Sequence, residues 1–274
     1  MSCLSGFGDE IAPEIATQVD VMERLGLRYV ELRGAQGKGV LDHTDEERRE
    51  VKAALDKHGF GVSALGSPIG KVDVRSPFEE ELERFRRALD AAAFYGTQYI
   101  RVFSYYIPEG EDPWSYEKEV LRRMSVKADM AGERGVVLLH ENESRIFGES
   151  PDRSLRMLEG VSSPALKGIF DPANFLHRGY DTYPDAWELL RDHIVYFHVK
   201  DCDRREGLTV PAGEGDAGFV EILRDAHRRG FDGFLSLEPH LGKGRFESMS
   251  KPDRFQLAVE AIRRVADQAG MPLY

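Results

Sequence analysis

Cysteine, long apolar runs and positive charge are all scarce in this chain. Two cysteines, Cys3 and Cys202, are too few for a disulfide framework, so we expect a reducing cytoplasmic environment. No run of about 18 apolar residues is present, which argues against a membrane span. Residues 1–10 lack the basic and apolar pattern of a signal peptide. Lys and Arg number 37 against 48 Asp and Glu, and the resulting net charge of -11 disfavours nucleic acid as a partner.

The composition is that of a globular protein with a sizeable core. Hydrophobic residues make up 41% of the 274 residues and charged residues 31%. This length is typical of one (β/α)₈ barrel.

A repeated pattern divides the chain into strand and helix units. A helix-like stretch ends in Gly, which caps a helix at little steric cost, and a short apolar run follows. The predicted strands are 4–7, 29–32, 60–65, 99–103, 136–141, 166–170, 194–199 and 234–238. Eight such units predict a closed parallel TIM barrel that spans residues 1–274 as a single domain. An open doubly wound sheet is the alternative, but residues 6–10 do not continue as a Gly-rich phosphate loop.

Four consecutive predicted strands end in residues that bind metals. Glu141, Asp171, His198 and Glu238 stand at the carboxyl ends of strands five to eight, where barrel active sites form. Neighbouring strands lie about 4.7–4.9 Å apart, so these side chains can converge. Three carboxylates and an imidazole suit one Mn²⁺, Mg²⁺ or Co²⁺ ion, and Zn²⁺ also fits. We expect three buried carboxylates to repel one another without a cation.

The segments around these residues carry a resemblance to a known family. They resemble the xylose-isomerase-like TIM-barrel superfamily, which includes sugar phosphate isomerases and epimerases, dehydratases and endonuclease IV. The segments are Glu141-Asn142, Asp171-Pro172-Ala173-Asn174, His198-Val199-Lys200-Asp201 and Glu238-Pro239-His240.

The resemblance implies a mechanism and one substrate contact. In ketose 3-epimerases of this group, two glutamates at the positions of Glu141 and Glu238 are metal ligands and also the acid/base pair. A metal acidifies the substrate carbon, one carboxylate removes its proton, and the other returns a proton to the enediolate. Arg204, six residues after His198, matches a frequent substrate contact.

The chain also departs from its relatives. Ketose 3-epimerases have a His where this chain has Asn174 and a second Glu where it has Phe147. These differences leave the metal site intact but weaken the epimerase assignment. Endonuclease IV binds three metals with additional ligands, for which His140, His177 and His240 are candidates.

Further residues are expected near the substrate. Glu31, Arg101, Asn174 and His240 are predicted substrate contacts. Glu31 has the alternative of an ion pair with an arginine, and His240 that of orienting the site. Lys200 is expected to pair with Asp201.

Two loops bear on the substrate class. The loop after strand seven, residues 213–216, is acidic, which favours a free sugar or polyol over a sugar phosphate. Tyr105, Tyr106 and Trp114 follow strand four, where they either stack on a sugar or pack at the start of the next helix.

The sequence therefore predicts a metal-dependent isomerase or epimerase that acts on a small ketose or keto-polyol, with Mn²⁺ as the favoured ion. Three alternatives stay open: a dehydratase or lyase that uses the same site, a non-catalytic sugar-binding barrel, and a nuclease. A homo-oligomer is implied by analogy with the family alone.

Overall fold

Eight parallel strands form the centre of the computed structural model, which describes residues 2–274. The strands are β1 (Cys3–Gly6), β2 (Tyr29–Leu32), β3 (Gly61–Leu65), β4 (Tyr99–Val102), β5 (Val137–Glu141), β6 (Leu166–Phe170), β7 (Ile194–Val199) and β8 (Phe234–Leu237). Each lies within one residue of its predicted bounds.

Helices follow the strands and cover the outside of the barrel. Within residues 2–274 they are α1 (Ile15–Arg24), α2 (Asp45–Lys57), α3 (Phe78–Tyr95), α4 (Glu117–Glu133), α5 (Pro151–Val161), α6 (Pro172–His177), α7 (Trp187–Leu190), α8 (Phe219–Arg228) and α9 (Lys251–Ala269). Thr44 and Glu47 form the reciprocal capping bonds of α2. Gly96 ends α3 with a φ of 74°, a left-handed conformation that favours glycine. None of these helices is both long and apolar enough to span a bilayer.

The strand order makes the sheet a barrel. Strands β1, β8, β7, β6, β5, β4, β3 and β2 follow one another as hydrogen-bonded neighbours. A single parallel bridge between Phe7 and Glu31 then joins β1 to β2 and closes the ring. The predicted (β/α)₈ barrel is confirmed.

Alternation along β7 shows how the sheet separates two environments. Phe197 faces the helical layer, where its ring lies 5.6 Å from that of Trp187. Tyr196 and His198 point the other way, into the barrel, and neither is exposed. Side chains two residues apart share a face of a strand, so this pattern aims the predicted ligand at the barrel axis.

Candidate metal centre

The four predicted ligands meet at the carboxyl ends of their strands. Glu141 ends β5, Asp171 follows β6, His198 lies in β7, and Glu238 follows β8. One ligand atom from each lies within 4.8 Å of the others, and all four residues are buried. The geometry is that of a cage large enough for one ion, and metal binding itself stays a prediction.

His198 is oriented by contacts on the far side of its ring. Its Nε2 lies 3.2 Å from Glu31 Oε2, and the Tyr196 hydroxyl donates a 2.9 Å hydrogen bond to the same oxygen. With Nε2 donating to Glu31, Nδ1 faces the cluster, 3.2 Å from Glu141 Oε1. Such a carboxylate–histidine contact commonly fixes the tautomer of a metal ligand. Glu31 is fully buried beneath the cluster and, within residues 2–274, pairs with no arginine. Its contact with substrate stays a prediction.

An unpartnered ligand nitrogen indicates that the cage fits a cation. His198 Nδ1 is buried and makes no hydrogen bond of good geometry. Asp171 Oδ2 makes none either, but the Lys200 ammonium lies 2.8 Å away and pairs with its charge. His198 Nδ1 and Asp171 Oδ2 lie 3.9 Å apart, and Glu238 Oε2 is 4.0 Å from the same nitrogen. Buried polar atoms are nearly always satisfied, and an ion among these three would satisfy all of them. The residues present therefore fit a divalent metal.

The repulsion expected among the three carboxylates is reduced by side-chain cations. Each buried carboxylate contacts a fixed side-chain cation, which reduces the repulsion among them. The pairs are Arg101 Nη1 to Glu141 Oε2 at 3.2 Å, Arg33 Nη1 to Glu238 Oε1 at 2.6 Å, and Lys200 Nζ to Asp171 Oδ2 at 2.8 Å and Glu238 Oε2 at 2.9 Å. Repulsion among the carboxylates is thus a weak argument for a metal, and the unpartnered His198 Nδ1 is the stronger one.

Burial and these contacts shift the pKa values of the ligands in different directions. Burial raises the pKa of Asp171 to about 6 despite the neighbouring ammonium. Burial also acts on Glu141, but His198 and Arg101 outweigh it and lower the pKa of this glutamate to about 2. For His198, burial is outweighed by the carboxylates of Glu141 and Glu31, which raise its pKa to about 10. The imidazole is therefore charged at neutral pH until a metal displaces its proton.

Two predicted substrate contacts bind the ligands directly. The side-chain Nδ2 of Asn174 donates to Glu141 Oε1 at 3.2 Å, and its backbone N–H donates to Asp171 Oδ1 at 3.0 Å. Arg101 is buried against Glu141 and also donates to the Gly66 carbonyl. Both residues hold ligand carboxylates in place, and contact with substrate stays a prediction for each.

The other two predicted contacts lie farther out. His240 Nε2 lies 3.2 Å from Glu10 Oε1 and 3.5 Å from Glu238 Oε1, with its side chain 44% exposed. Arg204 instead pairs with Asp181 at 2.6 Å and donates to the Tyr180 carbonyl. Arg204 is thus tied to the segment after α6, and its substrate contact also stays a prediction.

The histidines considered for a three-metal cluster do not join the four ligands within residues 2–274. His140 is buried and its Nε2 lies 2.9 Å from the Ser104 hydroxyl, outside the metal-competent group. His177 is exposed, with Nδ1 3.6 Å from Cys202 Sγ. The geometry thus favours a single-ion site over a nuclease-type cluster.

Sequence reasoning misjudged Lys200 and Asp201. The expected pair between them is wrong, because Lys200 binds Asp171 and Glu238. Asp201 is buried and instead accepts hydrogen bonds from the amides of Gly213, Gly215, Ala217 and Cys202. These amides are occupied within the protein, which supports the inference that this loop does not hold a phosphate. The hydrogen bonds that Asp201 accepts depend on the conformation of this loop, for which the sequence carried no signal.

Two of the aromatic residues after β4 pack against the protein, and stacking on a sugar stays a prediction. Tyr105 is fully buried and packs in the core. Trp114 is 42% exposed, and its ring contacts Phe147 edge to face with centroids 5.8 Å apart.

Comparison with known proteins agrees with this architecture. Residues 19–269 match the family model described as a xylose isomerase-like TIM barrel. The chain belongs to this family. A curated relative, 2-epi-5-epi-valiolone 7-phosphate 2-epimerase of Actinoplanes sp., is 25% identical over 226 residues, which cover 81% of this chain and 82% of the relative.

Solved structures share the fold at low identity. The IOLI protein with a zinc atom bound has a TM-score of 0.80 and 15% identity, covering 97% of this chain and 99% of that one. The probable 3-DHS dehydratase AsbF of Bacillus anthracis has a TM-score of 0.76 and 18% identity, covering 96% and 99%. This xylose isomerase-like chain is therefore similar in sequence to a curated epimerase and shares its fold with a probable dehydratase.

Proposed function

We propose that this protein is a divalent-metal-dependent epimerase or isomerase that acts on a small ketose or keto-polyol. The observation that carries the proposal is the buried cage of Glu141, Asp171, His198 and Glu238, in which the ligand atom His198 Nδ1 makes no hydrogen bond of good geometry. Mn²⁺ is our proposed ion, since the donors are three carboxylates and an imidazole. The IOLI protein, a structural neighbour with a zinc atom bound, supports a divalent ion in general.

The metal, when bound, would polarise the substrate carbonyl and acidify the neighbouring C–H bond. Glu141 and Glu238 come from strands three positions apart in the barrel, so they approach a substrate at the mouth from different directions. One carboxylate would take the proton, and the other would return one to the enediolate carbon. Arg101 and Arg33 anchor the outer oxygens of these glutamates, which fixes the directions of the inner oxygens.

A dehydratase is the second candidate, with a specific observation in its favour. Asn174 and Phe147 occupy positions where ketose 3-epimerases have His and Glu. Asn174 is used here as a donor to Glu141, so its side chain is committed to holding a ligand. The same proton abstraction followed by loss of a β-hydroxyl would give a dehydratase product.

The proposal covers residues 1–274 as one catalytic domain in the cytoplasm, with a small carbohydrate as its partner. The barrel contributes ligands from β5 to β8 and supporting residues from β2 and β4, so the site needs the closed ring. A substrate without phosphate is proposed, because the amides of the loop after β7 bind Asp201.

The test combines metal analysis with isotope exchange. The purified protein is loaded with Mn²⁺, and bound metal is measured by elemental mass spectrometry. Ketohexoses and inososes are then incubated with it in D₂O and followed by NMR. Deuterium at a carbon next to the carbonyl, with the skeleton unchanged, indicates an epimerase or isomerase, whereas release of water indicates a dehydratase.

Matched variants assign the chemistry. Glu238→Gln is expected to abolish turnover and leave the fold intact, whereas Glu206→Gln, an exposed acid in the loop after β7, is expected to behave like the wild type. Normal activity of Glu238→Gln would remove the mechanism. Absence of bound metal after incubation with Mn²⁺, Co²⁺ and Mg²⁺ would move the non-catalytic sugar-binding barrel to first place.

A further inference from the structure

Lys200 occupies an unusual place among the cations of the site. Its side chain is 5% exposed, and its ammonium touches two ligand carboxylates, at 2.8 Å from Asp171 Oδ2 and 2.9 Å from Glu238 Oε2. It forms no ion pair with Glu141, although that residue belongs to the same cage. A cation at the centre of the cage would contact all three carboxylates, so the ammonium lies at one edge rather than at the place of the ion.

The order of residues along β7 and just after it locates this edge of the cage along the barrel axis. Tyr196, His198 and Lys200 are two residues apart, and the first two point into the barrel. Tyr196 lies on the inner side, bound to Glu31, and His198 provides the ligand nitrogen. Lys200 directly follows the end of β7, and its contacts with Asp171 and Glu238 keep its side chain on this face. It lies one step farther toward the carboxyl ends of the strands, where barrel substrates enter. Its ammonium is therefore on the substrate side of the cage.

The other two cations are held independently of the ligands. Arg101 also donates to the carbonyls of Gly66 and Ser67. Arg33 also pairs with Asp9 and Glu10. Both would keep these partners when an ion draws the ligand carboxylates toward itself.

Lys200 differs in this respect. Its only hydrogen-bonding or ion-pair partners among residues 2–274 are the two ligand carboxylates. An ion bound to Asp171 and Glu238 would compete for their charge and repel the ammonium. A buried ammonium has three donor hydrogens, and leaving them without acceptors is costly. A substrate oxygen at the mouth would supply the missing acceptor.

We propose that Lys200 is a catalytic residue whose ammonium binds the substrate oxygen that becomes negatively charged during proton abstraction. In that step the C–H bond breaks, its proton passes to a glutamate, and its electron pair forms the carbon–carbon double bond. The electrons of the carbonyl double bond move onto the oxygen, to which Lys200 donates a hydrogen bond without giving up its proton. Fixed donors aimed at developing charge are a general source of catalysis.

The inference rests on the proposed function, and a binding experiment with an enediolate analogue distinguishes failure of one from failure of the other. Glycolohydroxamate is a small chelator whose ionised form resembles an enediolate in charge and in the placing of its two oxygens. Its binding to the Mn²⁺-loaded protein is measured by calorimetry for the wild type, Lys200→Met and the control Lys38→Met. Lys38 lies beyond β2 and pairs with Glu47 Oε1, outside the cage.

Lys200→Met is expected to bind glycolohydroxamate about 10- to 100-fold more weakly, the loss typical of a hydrogen bond to a charged group. Its Mn²⁺ affinity is expected to be no weaker than that of the wild type, because a competing cation is gone. Lys38→Met is expected to match the wild type in both measurements.

Equal glycolohydroxamate affinity for Lys200→Met and the wild type would overturn the role of Lys200 and leave the proposed function standing. Failure of the wild type to bind Mn²⁺ or the hydroxamate would overturn the proposed function itself, and the role of Lys200 with it. If Lys200→Met does not fold, Lys200→Gln replaces it: weaker hydroxamate binding supports the role, and wild-type binding overturns it.

Discussion

Metal binding to this site is expected to release a proton from His198. The imidazole lies between Glu141 and Glu31, and its pKa is raised to about 10 in the metal-free protein. The ligand atom Nδ1 must lose its proton before it can bind an ion. Asp171, whose pKa is raised to about 6, is already ionised above that pH. Between pH 6 and pH 10, one proton should therefore leave for each ion bound.

The magnitude follows from this linkage. One released proton makes the metal affinity rise about tenfold per pH unit, or about 1.4 kcal/mol. Between pH 7 and pH 8.5 the Mn²⁺ affinity should thus rise about 30-fold, or about 2 kcal/mol. Below the pKa of Asp171, a second proton competes and the dependence becomes steeper.

Calorimetry can count the protons directly. Mn²⁺ is titrated into the protein at pH 8 in two buffers of different ionisation enthalpy, such as HEPES and Tris. The difference in apparent binding enthalpy gives the number of protons released, for which we expect about one. Glu206→Gln serves as the control, since it lies outside the cage. No released proton, together with an affinity that is flat from pH 7 to pH 8.5, would refute the assigned ionisation of His198.

Three further predictions concern single contacts. Glu31→Gln removes a charge that raises the pKa of His198, so fewer protons should be released at pH 8 in the same calorimetric assay. Lys127→Met leaves the buried Glu81 without its 3.0 Å ion-pair partner and should lower the free energy of unfolding by about 3–5 kcal/mol in urea; a wild-type midpoint would contradict this. Asp201→Ala removes the acceptor of four backbone amides and should speed proteolysis within residues 202–217, whereas unchanged cleavage there would show that the loop holds without it.

Much of the site was predictable because the position of a residue along its strand determines its level along the axis of a parallel barrel. Glu141, Asp171, His198 and Glu238 each stand at the end of an apolar run, and equivalent strand ends meet at one rim. The identity of these residues then indicated a mostly oxygen-liganded cation site.

The partners of the ligands were harder to predict, because they come from distant parts of the chain. Glu31 precedes His198 by 167 residues, and Arg33 precedes Glu238 by 205. Each pair depends on closure of the ring between β1 and β2, which brings β2 across the barrel from β7 and β8. Lys200 was assigned to its sequence neighbour Asp201, yet alternation turns adjacent side chains to opposite faces.

The sequence by itself therefore determined the barrel, the order of its elements and the residues at its rim, since periodicity and helix caps are local properties of the chain. Only the tertiary structure decided how charge is distributed around those residues. The cations that neutralise the ligand carboxylates and the glutamate that orients His198 depend on side-chain directions across a closed ring. Electrostatic interactions act between atoms that are close in space, and this closeness arises when the barrel closes.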